Sequence, residues 1–149
     1  MKKLLFFSLL AISLGSCKKE NEPTTTNQNA NFKVEIVLSG AISDYTEMLT
    51  TSLITDEGQS ANLLGEEWKT GERVQSSTVT NYTQIGTPRN RALTTKESIK
   101  NVYLSQVMAP IKPNPQKLTS TVTIYRNGVV TTTKTKVFDG SNDNSFLVY

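Results

Sequence analysis

Residues 118–138 read LTSTVTIYRNGVVTTTKTKVF, and the Asn127-Gly128 pair in their middle decides the fold class. Asn-Gly tolerates positive φ at both central positions of a type I′ turn, whose twist matches that of two flanking antiparallel strands. Leu118–Arg126 is therefore expected to pair with Val129–Phe138. Across a two-residue loop the partner numbers sum to 255, which sets Leu118 opposite Val137, Val122 opposite Thr133, Ile124 opposite Thr131 and Arg126 opposite Val129. That face carries the core. The other face gathers Thr119, Thr121, Thr123 and Tyr125 with Lys136, Lys134, Thr132 and Val130, a surface suited to water. A slip of one residue would turn two lysines inward, so this register is expected to be well specified.

Working outward from the hairpin, the same texture persists. Phe32, Val34, Ile36 and Leu38 alternate with Lys33, Glu35, Val37 and Ser39 before Gly40, which predicts a strand with one buried face. A second strand is expected over residues 45–55, with Leu49, Thr51 and Leu53 on one face and Met48, Thr50, Ser52 and Ile54 on the other. Residues 73–85 are polar and threonine-rich, as in an edge strand or strand pair. The stretch 93–109 admits two readings. Thr94-Thr95-Lys96-Glu97 has the form of a capping box, with Ile99, Val102, Tyr103 and Val107 on one helical face. A strand over 99–108, closed by Pro110, places Val102, Leu104, Gln106 and Met108 together instead, and is favoured because its neighbours are strands. Residues 146–149 are expected to form a last short strand. About seven strands with turn signals between them predict an all-β antiparallel β-sandwich of immunoglobulin-like type.

The 149-residue chain divides into three parts. Residues 1–16 have a basic start (Lys2, Lys3) and an apolar run over 4–14, too short to span a bilayer. Residues 17–31 hold no large apolar side chain and are expected to form a disordered tether. The sandwich occupies 32–149. Leu14-Gly15-Ser16-Cys17 resembles the bacterial lipobox. That resemblance implies cleavage before Cys17, a thioether-linked diacylglyceride on its sulfur and acylation, as with palmitate, of the new amino terminus. A lipid attachment of more than one acyl chain holds stably to a membrane. Lys18-Lys19-Glu20-Asn21-Glu22 resembles the lysine-plus-acidic signal that sends some lipoproteins to the cell surface, with Asn21 interrupting the acidic pair. The localisation implied is the outer membrane, lipid-anchored, with exposure at the cell surface.

Charge excludes one class of partner. The chain carries 16 basic and 13 acidic side chains, and loss of Lys2 and Lys3 leaves 14 against 13, or +1. No nucleic-acid partner is expected from that balance. Arg89 and Arg91 make the one basic cluster worth testing, and a solvated loop is the simpler expectation.

The chemistry is sparse. With no histidine and a single cysteine, Ser-His-Asp and Cys-His arrangements and zinc sites built on them are excluded. Glu66, Glu67 and Glu72 near Trp68 leave a carboxylate hydrolase as a remote alternative. Asp139, Ser141 and Asp143 offer alternate oxygens without the closing bidentate acid of a calcium loop, so a turn is expected and no metal or cofactor. Trp68 is either a ring for stacking on a sugar or a partner, or a plug at one end of the sandwich.

The segments Phe32-Lys33-Val34-Glu35-Ile36, Val102-Tyr103-Leu104-Ser105 and 122–130 resemble small envelope β-sandwich lipoproteins, and are similar to the MmpS-type membrane-anchored accessory proteins of lipid exporters. The expectation is a non-catalytic, lipid-anchored envelope or surface module that binds a protein or glycan. The alternative is an accessory subunit of an envelope transport or secretion complex.

Overall fold

The computed structural model describes residues 28–64 and 73–149. Cys17, the segment Lys18 to Glu22, and Glu66, Glu67, Trp68 and Glu72 lie outside the described residues. Among those described, ten strands form two five-stranded antiparallel sheets. The strands are β1 (Phe32–Gly40), β2 (Tyr45–Ile54), β3 (Leu63–Leu64), β4 (Arg73–Gln75), β5 (Val79–Gly86), β6 (Arg91–Thr95), β7 (Asn101–Pro110), β8 (Leu118–Arg126), β9 (Val129–Phe138) and β10 (Ser145–Val148). Sheet 1 runs β3-β6-β1-β8-β9 and sheet 2 runs β10-β7-β2-β5-β4. This is the expected antiparallel sandwich. Its strand number exceeds seven because the short β3, β4 and β6 pair as strands of their own.

Alternation builds the interior. Phe32, Val34, Ile36 and Leu38 of β1 and Leu118, Val122 and Ile124 of β8 face Leu49 and Leu53 of β2 and Val102, Leu104 and Met108 of β7. Residues 101–110 thus follow the strand reading, with Pro110 as the last residue of β7, and Gln106 shares the buried side with Val102, Leu104 and Met108. The capping-box helix does not form, because Glu97 turns instead to accept from the Asn62 backbone N–H at 2.8 Å. Residues 73–86 form the expected strand pair, with β4 at the edge of sheet 2.

The hairpin departs from its expected register. Asn127 and Gly128 do adopt φ of 50° and 81°. Arg126↔Val129 and Tyr125↔Val130 pair as the turn dictates, but a β-bulge follows and Ile124 pairs with Thr132. Thr131 is skipped, and its hydroxyl donates to the Ile124 carbonyl at 3.1 Å. From there on Leu118 faces Phe138, Ser120 faces Lys136 and Val122 faces Lys134, so both lysines lie on the core side. The larger side chain decides it. The shift buries Phe138 at 2 % exposure and leaves Val137 outside at 49 %, and a phenyl ring gains more from leaving water than an isopropyl group. At a sheet edge lysine stems can lie on apolar surface while their heads reach water.

The packed chain begins before Phe32. Ala30 is buried and bridges Ile99 through two backbone bonds of 2.8 and 2.9 Å. Asn31 exchanges bonds with Asn127, and Arg126 donates to the Gln28 carbonyl at 2.6 Å. The amino-terminal segment is therefore fastened to the pole that carries the Asn127-Gly128 turn. At the opposite pole Gly40, with φ 100°, lies where a Cβ would meet the Lys117 carbonyl oxygen at 2.4 Å, so no other residue fits that turn. Asp44 there accepts from Lys112 Nζ at 2.5 Å and from the Gln116 N–H at 3.0 Å, holding the proline-rich loop before β8.

Candidate functional site

Two features stand out once the sheets are assembled, one inside and one outside. Inside, β2 presents Glu47 on the same face as Tyr45, Leu49, Thr51 and Leu53, and β6 presents Arg91 on the same face as Leu93. The guanidinium of Arg91 pairs with Glu47 Oε2 across the gap between sheets; the side chains are 5 % and 2 % exposed. Gln106 Nε2 donates to Glu47 Oε1 at 2.6 Å, and Arg91 donates to Gln84 Oε1 at 2.7 Å. Burial pushes the Glu47 carboxyl above the usual carboxylate range, against the opposing pull of Gln106 and Arg91.

Both carboxylate oxygens of Glu47 are thus committed to protein donors. The cluster ties sheet 1 to sheet 2, and its charge is matched inside the protein rather than offered to a ligand. Four further buried oxygens, on Thr51, Thr80, Gln106 and Ser120, have no hydrogen-bond partner among the described residues. Arg91, expected in a solvated loop, is instead the first residue of β6 and part of this interior pair. Arg89 is exposed, and its carbonyl accepts from Arg91 Nε at 3.4 Å. The two arginines therefore do not form one basic surface. Glu47, Gln84 and Gln106 carry no obvious motif. The available signal was parity, since an acid at position 47 falls in phase with buried Leu49 and Leu53.

Outside, the surface of sheet 2 carries no charged side chain at any outward position of β2, β5, β7 or β10. Its rows follow from the register. Ile85, Met48 and Val107 lie side by side; Thr83, Thr50, Ser105 and Leu147 make the next row; Asn81, Ser52 and Tyr103 the one after. Ile85, Leu147 and Tyr149 are 72 %, 60 % and 68 % exposed. Thr50 and Thr83 hydroxyls meet at 3.1 Å, and the rings of Tyr103 and Tyr149 stand edge to face at 6.4 Å.

Asp139 accepts from the Ser141 N–H at 3.0 Å, which closes the expected turn, and Asp143 pairs with Lys136 at 2.6 Å. Among the described residues no group of three or more acids, histidines or cysteines is placed to hold a metal ion. No helix among them is long and apolar enough to cross a membrane.

No family model matches the chain, and no curated protein matches it. Among solved structures, the calcium-bound form of a protein from Parabacteroides distasonis is similar, at 17 % identity and a TM-score of 0.47, over 82 % of this chain and 94 % of that one. A likeness of that size says nothing about a ligand for this chain.

Proposed function

We propose that this chain is a non-catalytic, lipid-anchored protein of the bacterial outer membrane, whose sandwich docks a protein partner through the outer face of sheet 2. The observation that carries the reading is that face itself. Four adjoining strands show water only aliphatic, thioether, aromatic, hydroxyl and amide side chains, although charged residues make up 19 % of the chain. Interface cores are depleted of charge, and this face shares that depletion while exposing Ile85, Leu147 and Tyr149. A protein is favoured over a glycan because one row of the face, Ile85, Met48 and Val107, is apolar from strand to strand.

The anchor rests on Leu14-Gly15-Ser16-Cys17. Lipid on Cys17 would hold the domain by the pole at which Gln28 to Asn31 are fastened, leaving both sheet faces clear of the bilayer. In this reading Trp68 is a candidate second contact, and Lys18 to Glu22 direct export to the cell surface.

The test is protease treatment of intact cells, with a periplasmic lipoprotein as the control for intact outer membranes, alongside a Cys17→Ala variant. Loss of the protein from intact cells, and release of Cys17→Ala from the membrane fraction without palmitate label, are expected. Protection until the outer membrane is opened would move the partner to the periplasm, as in an envelope transport complex. A Cys17→Ala chain that stays membrane-bound and labelled would overturn the anchor.

A further inference from the structure

The four sheet edges are unequal. β3, β4 and β10 are two, three and four residues long, whereas β9 is a ten-residue edge strand whose outer side pairs with no strand among the described residues. A long edge of valine and threonine is a template for a further strand. The nearest source of such a strand is a second copy of β9, which would pair antiparallel and fuse two copies of sheet 1 into one.

We infer that β9 is a guarded edge, closed to pairing with a second copy of the chain by Lys134, Lys136 and the bulge at Thr131. The lysines sit on the core side, opposite Val122 and Ser120, so their stems close the open flank between β9 and β10. Lys134 Nζ lies 4.0 Å from the centre of the Tyr149 ring. Lys136 is 18 % exposed and reaches Asp143, which is 77 % exposed, at 2.6 Å. Both ammonium groups lie at that open flank, Lys134 over the Tyr149 ring and Lys136 beside the largely exposed Asp143. A strand added beyond β9 would cover them, and burying a charge stripped of water is costly. The bulge acts separately: it skips Thr131 and increases the local twist, so two copies of the strand do not lie flat against each other.

The test is sedimentation equilibrium of the full chain in detergent, comparing wild type with Lys134→Met/Lys136→Met, which keeps the stems and removes the charges, and with Lys134→Arg/Lys136→Arg, which keeps both. Wild type and the arginine variant are expected to stay monomeric. The methionine variant is expected to self-associate about tenfold or more tightly, because no ammonium need be desolvated, and hydrogen exchange of β9 amides should slow as it associates. Should the methionine variant not fold, Lys134→Gln/Lys136→Gln carries the same expectation. A wild type that already protects β9 on concentration, an uncharged variant that associates no better than wild type, or one that associates through another strand overturns the inference.

Discussion

On the outer face of sheet 1, Lys33 and Glu35 form an ion pair at 2.5 Å and Tyr125 donates to Glu35 at 2.6 Å. Beside them the hydroxyls of Thr121 and Thr135 meet at 3.0 Å. On the outer face of sheet 2 the matching positions hold Met48, Ile85, Val107 and Leu147, with no charge among them. The strands of both sheets alternate in the same way and bury the same kind of interior. Outward chemistry therefore did not follow from folding: a sandwich needs only its inner faces. The outer face of sheet 1 mixes charged pairs with exposed Val37 and Val137, whereas the outer face of sheet 2, the one proposed to meet a partner, holds no charged side chain on β2, β5, β7 or β10.

The largest test breaks what the two faces share, the sandwich itself. Arg91→Ala leaves the buried Glu47 carboxyl with its bond from Gln106 but without its counter-charge, and should cost about 3–5 kcal/mol in urea unfolding. Arg91→Met with Glu47→Leu, which replaces the pair by apolar groups, should recover most of that loss. A double variant as unstable as the single one would mean that the cluster supplies more than charge matching.

Next in size is a charge placed on each face. Met48→Lys with Ile85→Lys should weaken capture of the partner by about tenfold or more, while stability moves within about 0.5 kcal/mol. Val37→Lys, on the outer face of sheet 1, should alter neither. Equal loss of binding from both changes would erase the distinction between the faces. Loss of stability alone would show that the sheet 2 surface is a structural requirement.

The smallest effects concern pH and salt. Asp44 is held below the usual carboxylate range, first by its bond from Lys112 and then by the Gln116 N–H. Its contribution is therefore present above the unfolded value near pH 4 and is lost as pH falls through the lower folded value. Glu47 has the opposite sign. Burial raises its pKa, so its contribution is present at low pH and declines as pH rises through the raised folded value. Acid unfolding curves of Asp44→Asn should consequently be flatter below about pH 4 than those of wild type. Tyr125→Phe should produce a small loss on the sheet 1 face, and added salt should narrow the remaining contribution of the Lys33–Glu35 pair.

The buried faces were legible because period-two alternation is enforced by burial itself. Val102, Leu104, Gln106 and Met108 share one side as expected, and so do Phe32, Val34, Ile36 and Leu38. The Asn127-Gly128 turn was legible because few residue pairs tolerate its dihedral angles. The register beyond it was not. The bulge at Thr131 answers to a competition between Phe138 and Val137 for the interior, and the hairpin alone contains no information about what those side chains will meet. Arg91 was misplaced for a similar reason: its partner lies 44 residues away on the other sheet, and only the assembled sandwich supplies a buried acid to receive it. The uncharged outer face was visible strand by strand, as in Met48, Thr50, Ser52 and Ile54. Its extent depends on the order β10-β7-β2-β5, which no local pattern sets.

A pull entering the domain at Gln28 runs straight into β1, the middle strand of sheet 1. That strand is registered on β8 along its whole length, from Phe32↔Arg126 to Gly40↔Leu118, and on β6 from Lys33 to Ile36. Antiparallel rungs lie across the strand axis, so a force along β1 must shear them together, whereas a strand peeled from an edge parts one rung at a time. The bonds at Ala30 and Asn31 set the grip at the very end of the strand. In the proposed anchoring, a pull from Cys17 would load the rungs of β1 together rather than one at a time.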